Sequence, residues 1–254
     1  MEHVIHTIDA SNVDRYGFFC YKSKPKSGGY RQKREWLESC MAEGVRLKII
    51  YEGTRSAGFI EYAPGEATWR VVKAPGYLVI HCMWVVGSGR GKGYGARLLE
   101  QVVSEAQNKG MYGLAVVTSA STFLAKKGFF IHHGFEVVDQ APPSFELLTL
   151  RFGQGSMPSF PQDWETRLQR IPQGLVVYSS GQCPYLTMFV SSLGNAASQM
   201  GIPAQMVEFK TSWEARTLSP SAYGVFGVVF DGRLLSYRPI GGKTLRQMLE
   251  SSNG

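Results

Sequence analysis

Residues able to do chemistry concentrate in one stretch, Tyr77 to Ala106, YLVIHCMWVVGSGRGKGYGARLLEQVVSEA. At its centre four glycines alternate, Gly89, Gly91, Gly93 and Gly95, with Arg90 and Lys92 between them. Glycine lets a backbone come close to a ligand, and the open N–H groups and dipole at a helix start attract an anion. The loop is therefore built to cradle a phosphate. Ahead of it, His81 and Cys82 stand on an apolar run. A histidine titrates where a base works near neutral pH, whereas Cys82 among apolar neighbours reads as a packed thiol. Alternation along a strand predicts His81, Met83 and Val85 on one face and Cys82 and Trp84 on the other.

These residues need a strand, a tight loop and a helix in that order, and the pattern supplies them. The apolar run follows the breaker Pro75-Gly76, and Leu98, Leu99, Val102, Val103 and Ala106 recur at helical spacing until Gly110. Upstream, the pattern predicts a strand at 4–8, a short helix capped by Ser11 or Asn12 and running through Phe19, and a helix over 30–43. The basic segment Lys22 to Arg34 opens as a loop, either a solvated surface or a lid on the substrate side. A hairpin over 45–52 and 56–62 follows, with a strand extension at 69–72. Downstream come a strand at 114–117, a helix around Phe123 to Phe130, and strands at 135–139 and 145–152.

The segment GQGSMPSFPQD, Gly153 to Asp163, is rich in Gly, Ser and Pro and nearly uncharged, which marks a boundary. The expected organisation is a domain over 1–152, a linker over 153–162 and a smaller domain over 163–254. The second domain reads as a strand at 175–178, a helix at 184–200, a strand at 204–209, a hairpin of 225–230 with 234–237, and a closing helix at 244–249.

Composition narrows the class. Of the 254 residues 44% are hydrophobic and 19% charged, which excludes bulk disorder. No apolar run reaches the roughly 18 residues of a membrane span, and no signal peptide opens the chain. Cys20, Cys40, Cys82 and Cys183 are scattered without a CxxC pair or zinc spacing, so reduced thiols in a cytoplasmic protein without a metal are expected. The net charge of +7 suits an anionic ligand such as a nucleotide or coenzyme. No nucleic-acid motif accompanies it.

Three phosphate motifs compete for the loop. A Walker A loop needs Ser or Thr after its lysine, and Lys92 is followed by Gly93. A dinucleotide fingerprint is met nominally by Gly91, Gly93 and Ala96, but it requires an acidic residue at the end of the next strand, where GLAVVTSAS has none. The third is the acetyl-CoA loop. Val85-Val86-Gly87-Ser88-Gly89-Arg90-Gly91-Lys92-Gly93-Tyr94-Gly95, with Phe130-Ile131-His132-His133-Gly134-Phe135 downstream, resembles the N-acetyltransferases of the GNAT family. Gly87 replaces that family's usual proline. The resemblance covers roughly residues 1–152.

It implies an α/β (α+β) fold with a mixed sheet flanked by helices, acetyl-CoA as cosubstrate, and a small-molecule or peptide amine as acceptor. Backbone N–H groups of Arg90, Gly91, Lys92, Gly93, Tyr94, Gly95 and Ala96 would hold the pyrophosphate, with charge from Arg90. Val85 and Val86 would pair with the pantetheine arm. Some members carry a base on the strand of His81, which makes His81 the first candidate and Glu61, on the preceding strand, the second. His81 also fits a hydrogen-bonded core histidine, and Glu61 a solvent-facing carboxylate. The family's general-acid tyrosine is replaced by Phe130, so that role is vacant. His132 and His133 at a helix end suit the helix dipole. Direct attack by the amine in a ternary complex is the implied mechanism, and an acyl-CoA sensor without catalysis is the alternative.

In the second domain, SSGQCPYLTMF (Ser179 to Phe189) resembles the redox corner of the thioredoxin fold, with Leu186 where a second cysteine would stand. An acetyltransferase followed by such a module resembles the YoaP-like group. Without a second cysteine at Leu186, dithiol exchange is not expected. Cys183 at a helix start keeps two readings: a reactive thiol in a redox protein, or part of a binding scaffold.

Overall fold

The computed structural model describes residues 3–120 and 124–251. The chain forms two compact units. The first takes residues 1–22, 37–68 and 72–160, and the second takes 23–36, 69–71 and 161–254.

The first unit's elements, in chain order, are β1 (His3–Ile8), α1 (Val13–Tyr16), α2 (Gly28–Met41, whose first part belongs to the second unit), β2 (Arg46–Glu52), β3 (Arg55–Pro64), β4 (Tyr77–Val85), α3 (Tyr94–Asn108), β5 (Gly113–Ser119), α4 (Lys127–His132), β6 (Glu136–Ala141) and β7 (Phe145–Arg151). The strands form one sheet in the order β1-β2-β3-β4-β5-β7-β6. Every neighbouring pair is antiparallel except β4 and β5, which are parallel and joined across α3. The interior strands β3 and β5 are buried along nearly their whole length, as strands covered on both faces must be. Leu98, Leu99, Val102 and Ala106 line the buried side of α3 and pack with Ile60, Tyr62, Leu78, Ile80, Leu114 and Val116 from the sheet.

The structure departs from the sequence reading at several elements. α1 stops at Tyr16, because Gly17 turns the chain at φ 70°, so Phe19 lies outside the helix. α2 starts at Gly28, making the second half of the basic segment helical. Residues 69–72 form no strand. Phe123 lies outside the described residues, and α4 begins at Lys127.

The second unit adds α5 (Trp164–Gln169), β8 (Leu175–Ser180), α6 (Thr187–Gln199), β9 (Ala204–Phe209), α7 (Ser212–Leu218), β10 (Phe226–Phe230), β11 (Arg233–Ser236) and α8 (Gly242–Glu250). Its sheet runs β11-β10-β8-β9, with β8 and β9 parallel and the other pairs antiparallel. α7 was not expected. Its start has the capping-box residues Thr211 and Glu214: Thr211 Oγ1 accepts from Glu214 N at 3.1 Å, and Glu214 Oε2 accepts from Lys210 N, one residue before the cap, at 2.6 Å. Among the described residues no helix is long and apolar enough to cross a membrane.

Candidate active site

The central feature is a fork in the first sheet. β4 and β5 pair only from Tyr77↔Gly113 to Ile80↔Val116. Beyond that point β4 stays with β3 as far as Gly58↔Val85, and β5 stays with β7 as far as Ser119↔Phe145. Two strand edges thus separate at their carboxyl ends. Each keeps backbone groups turned toward the gap, because successive residues of a strand direct theirs to opposite sides. Val86 N donates to Ala57 O at 2.9 Å, on the β3 side. The Val86 N–H is thus turned to β3, and by alternation Val85 presents its N–H and carbonyl at the open edge.

The loop after β4 leads into α3. Gly91 and Gly93 adopt φ 78° and 74°, in the left-handed region that favours glycine. Gly95 answers a different demand: a Cβ there would sit 3.0 Å from the Met83 methyl and 3.2 Å from the Phe129 ring. Inside the loop, Arg90 N donates to Gly87 O and Lys92 N to Gly89 O, at 3.2 and 3.3 Å. The helix's hydrogen-bond ladder starts from Arg97 N to Gly93 O at 3.1 Å, and no side chain caps it. The N–H groups of Tyr94, Gly95 and Ala96 therefore lie at the open helix start. Of the expected series, Arg90 and Lys92 use their N–H groups within the loop. The Lys92 side chain is also engaged, with Nζ 2.7 Å from Glu52 Oε1. That hydrogen bond holds the Lys92 pKa above and the Glu52 pKa below their ordinary values. The Tyr94 ring is buried in the core, so its contribution is backbone alone. Arg90 is exposed, its guanidinium 5.6 Å from the ring of Trp84.

Simple alternation fails at His81. Glu61 pairs with Cys82 while Tyr62 pairs with Ile80, so β4 carries one extra residue, a β-bulge. Met83 and Val85 pack against the core under α3, whereas the bulge turns His81 to the opposite face, beside Glu61. Its Nδ1 lies 3.8 Å from Glu61 Oε1, and its Nε2 is 3.0 Å from Thr68 Oγ1. His81 and Glu61 are 2% and 1% exposed, so Glu61 does not face solvent. The structure thus brings together the two residues singled out as bases. It adds Thr68, which no sequence signal marked because it sits in an irregular connection. His81 is the first residue of β4 past its last pair with β5.

At α4, Phe130 is fully buried against Phe135, their ring centroids 5.2 Å apart. His133 Nδ1 donates to Phe129 O at 2.7 Å, closing the helix's carboxyl end. His132 is exposed. No group of three or more metal-ligating side chains is found among the described residues. In the second unit, Cys183 precedes α6 and is partly buried.

Comparison with known proteins bears on this geometry. The model of the Acetyltransferase (GNAT) family matches residues 15–135. An uncharacterized N-acetyltransferase, YoaP, of Bacillus subtilis strain 168 is 29% identical over 235 residues, spanning 91% of this chain and 92% of its own. That length runs through both units. Among solved structures, a GNAT-family acetyltransferase from Desulfovibrio desulfuricans is 21% identical, covering 59% of this chain and 99% of its own at a TM-score of 0.43. A GNAT acetyltransferase from Brucella melitensis in complex with acetyl-CoA is 17% identical, covering 63% and 94% at a TM-score of 0.41. The family match and the curated relative support an acyl-CoA N-acyltransferase.

Proposed function

We propose that this chain, matched to the GNAT family over residues 15–135, moves the acetyl group of acetyl-CoA to a primary amine by direct attack in a ternary complex. The observation that carries the reading is the fork between β4 and β5 beside the open start of α3. In this reading the N–H groups of Tyr94, Gly95 and Ala96, with charge from Arg90, hold the pyrophosphate. The pantetheine arm lies in the gap as an added strand against Val85. An edge N–H of β4 takes the oxyanion that forms when the amine attacks the thioester carbonyl.

The attacking amine must lose a proton, and the Glu61–His81 pair is its acceptor, with Thr68 fixing the imidazole. The departing thiolate resembles a cysteine thiolate, of pKa about 8.5, and leaves without a strong acid. That is consistent with Phe130 at the tyrosine position. The acceptor is a small-molecule or peptide amine. The sheet order β11-β10-β8-β9, with a helix crossover between its parallel strands and a closing hairpin and helix, supports a thioredoxin-like reading of the second unit.

Phe130 also favours a second reading, an acyl-CoA sensor without catalysis. Mass spectrometry after incubation with acetyl-CoA and a panel of primary amines separates the two. Acetylated product that forms about 30-fold more slowly in Glu61→Gln supports transfer; tight acetyl-CoA binding with no product on any amine supports the sensor.

A further inference from the structure

The second unit contains three residues from the middle of the first unit's sequence, Trp69, Arg70 and Val71. They are 1%, 2% and 1% exposed. Val71 N donates to Ala222 O at 3.3 Å. Arg70 Nη1 donates to Gln182 Oε1 at 2.9 Å and to Tyr223 O at 3.1 Å, and its guanidinium lies 5.1 Å from the Tyr223 ring. Trp69 meets Trp36 edge to face at 5.4 Å. Gly224 leaves room for this strap: a Cβ there would lie 1.9 Å from Trp69 O, and its φ of 68° favours glycine. Gln182 and Ala222–Gly224 flank the start of α6 and the entry to β10, so the strap is seated at the corner that also carries Cys183.

A buried guanidinium is costly unless its donors find acceptors, and Gln182 Oε1 and the Tyr223 carbonyl both accept from Nη1 here. The seat is therefore specific to an arginine and to this backbone. Trp69 is joined by one peptide bond to Thr68, whose hydroxyl is 3.0 Å from His81 Nε2. Fixing residue 70 thus limits where residue 68 can place that hydroxyl. We infer that the corner of the second unit is a docking seat for the strap 69–71, and that Arg70 is a positioning residue, setting the orientation of His81 through Thr68. This rests on the acetyl-transfer reading for its catalytic half alone.

Gln182→Leu tests it, since it removes one acceptor and leaves the strap's sequence intact. In the full-length protein the variant is expected to lower kcat about tenfold while holding the KM for acetyl-CoA within about twofold. Gln182→Glu, which keeps an acceptor, is expected to retain kcat within about threefold of the parent. Hydrogen exchange of the Val71 amide is expected to be slow in the parent and at least about tenfold faster in Gln182→Leu. Slow exchange at Val71 that persists in Gln182→Leu overturns the docking, whether or not any amine is acetylated. Faster exchange with unchanged kcat overturns the positioning role. A fall in kcat matched by an equal loss of acetyl-CoA affinity also overturns it, because the damage is then general.

Discussion

The chain builds the same supersecondary unit twice, and the two copies part at one point. β4–α3–β5 and β8–α6–β9 each join parallel strands across a helix. β8 and β9 stay paired along their whole length, from Leu175↔Ala204 to Ser180↔Phe209. β4 and β5 separate after Ile80↔Val116, with residues of both strands still to come. The corners behind the two first strands differ as well. Behind β4 stand exposed glycines and an uncapped helix start. Behind β8 the corner is packed: a Cβ on Gly181 would lie 2.7 Å from Trp36 Cβ, and Gln182 holds Arg70. Ligands of α/β units gather at the carboxyl ends of strands where neighbours diverge. Crossover topology alone makes no cleft; the parting of the strands does.

The sharpest way to break this contrast is Gly93→Val. Nothing lies within 4 Å of a Cβ added at Gly93, so the substitution acts through its φ of 74° and not through a clash. Holding a β-branched residue there costs about 1–3 kcal/mol, and relaxing it turns the helix-start N–H groups away. Acetyl-CoA affinity by calorimetry is expected to fall about 100-fold, with hydrogen exchange in the second unit unchanged. Affinity within about twofold of the parent would leave the open helix start without a role.

Next in size is Glu61→Gln. The amide keeps the shape of the carboxylate beside His81 and removes its charge, so kcat is expected to drop about 30-fold at constant acetyl-CoA affinity. An unchanged kcat would make the pair a structural contact at the fork and move the search for the base elsewhere.

What the sequence disclosed follows from the range of its signals. The β4 run, the glycine alternation and the periodic face of α3 are local, and each reports directly on backbone geometry within a turn or two. Thr211 and Glu214 show a capping box at the right spacing, so α7 was legible although it was missed. The bulge at His81 was not. It arises from how β3 and β4 register along their length, and a single extra residue inverted the face expected for His81 relative to Met83 and Val85. Thr68 and Arg70 lie between elements with no periodicity, and their partners, at His81 and Gln182, are 13 and 112 residues away. Nothing local to either residue records such contacts.

The fork also depends on its other end. α3 rises from the gap and is held at its far end by Glu105, whose carboxylate accepts from Tyr62 Oη at 2.5 Å and Lys109 Nζ at 2.7 Å and meets Lys48 Nζ at 2.9 Å. Partial burial pushes the Glu105 pKa up, but the hydrogen bonds from Lys109, Tyr62 and Lys48 outweigh it and hold it down at about 2, against an ordinary 4.5. Because the folded value is the lower one, the stabilisation is fully present above pH 4.5 and is lost as pH falls from there toward 2. Taken at face value the shift is worth about 3 kcal/mol, and solvent screening of a partly exposed group reduces it to about 1–2 kcal/mol. Glu105→Gln is therefore expected to lower Tm at pH 7 by roughly 2–6 °C and to flatten the loss of stability below pH 4.5. Acetyl-CoA affinity should change by less than about threefold, because the open end of α3 is untouched. Parallel stability curves for parent and variant between pH 4.5 and 2 would show that Glu105 does not anchor the helix, and the fork would then need another hinge.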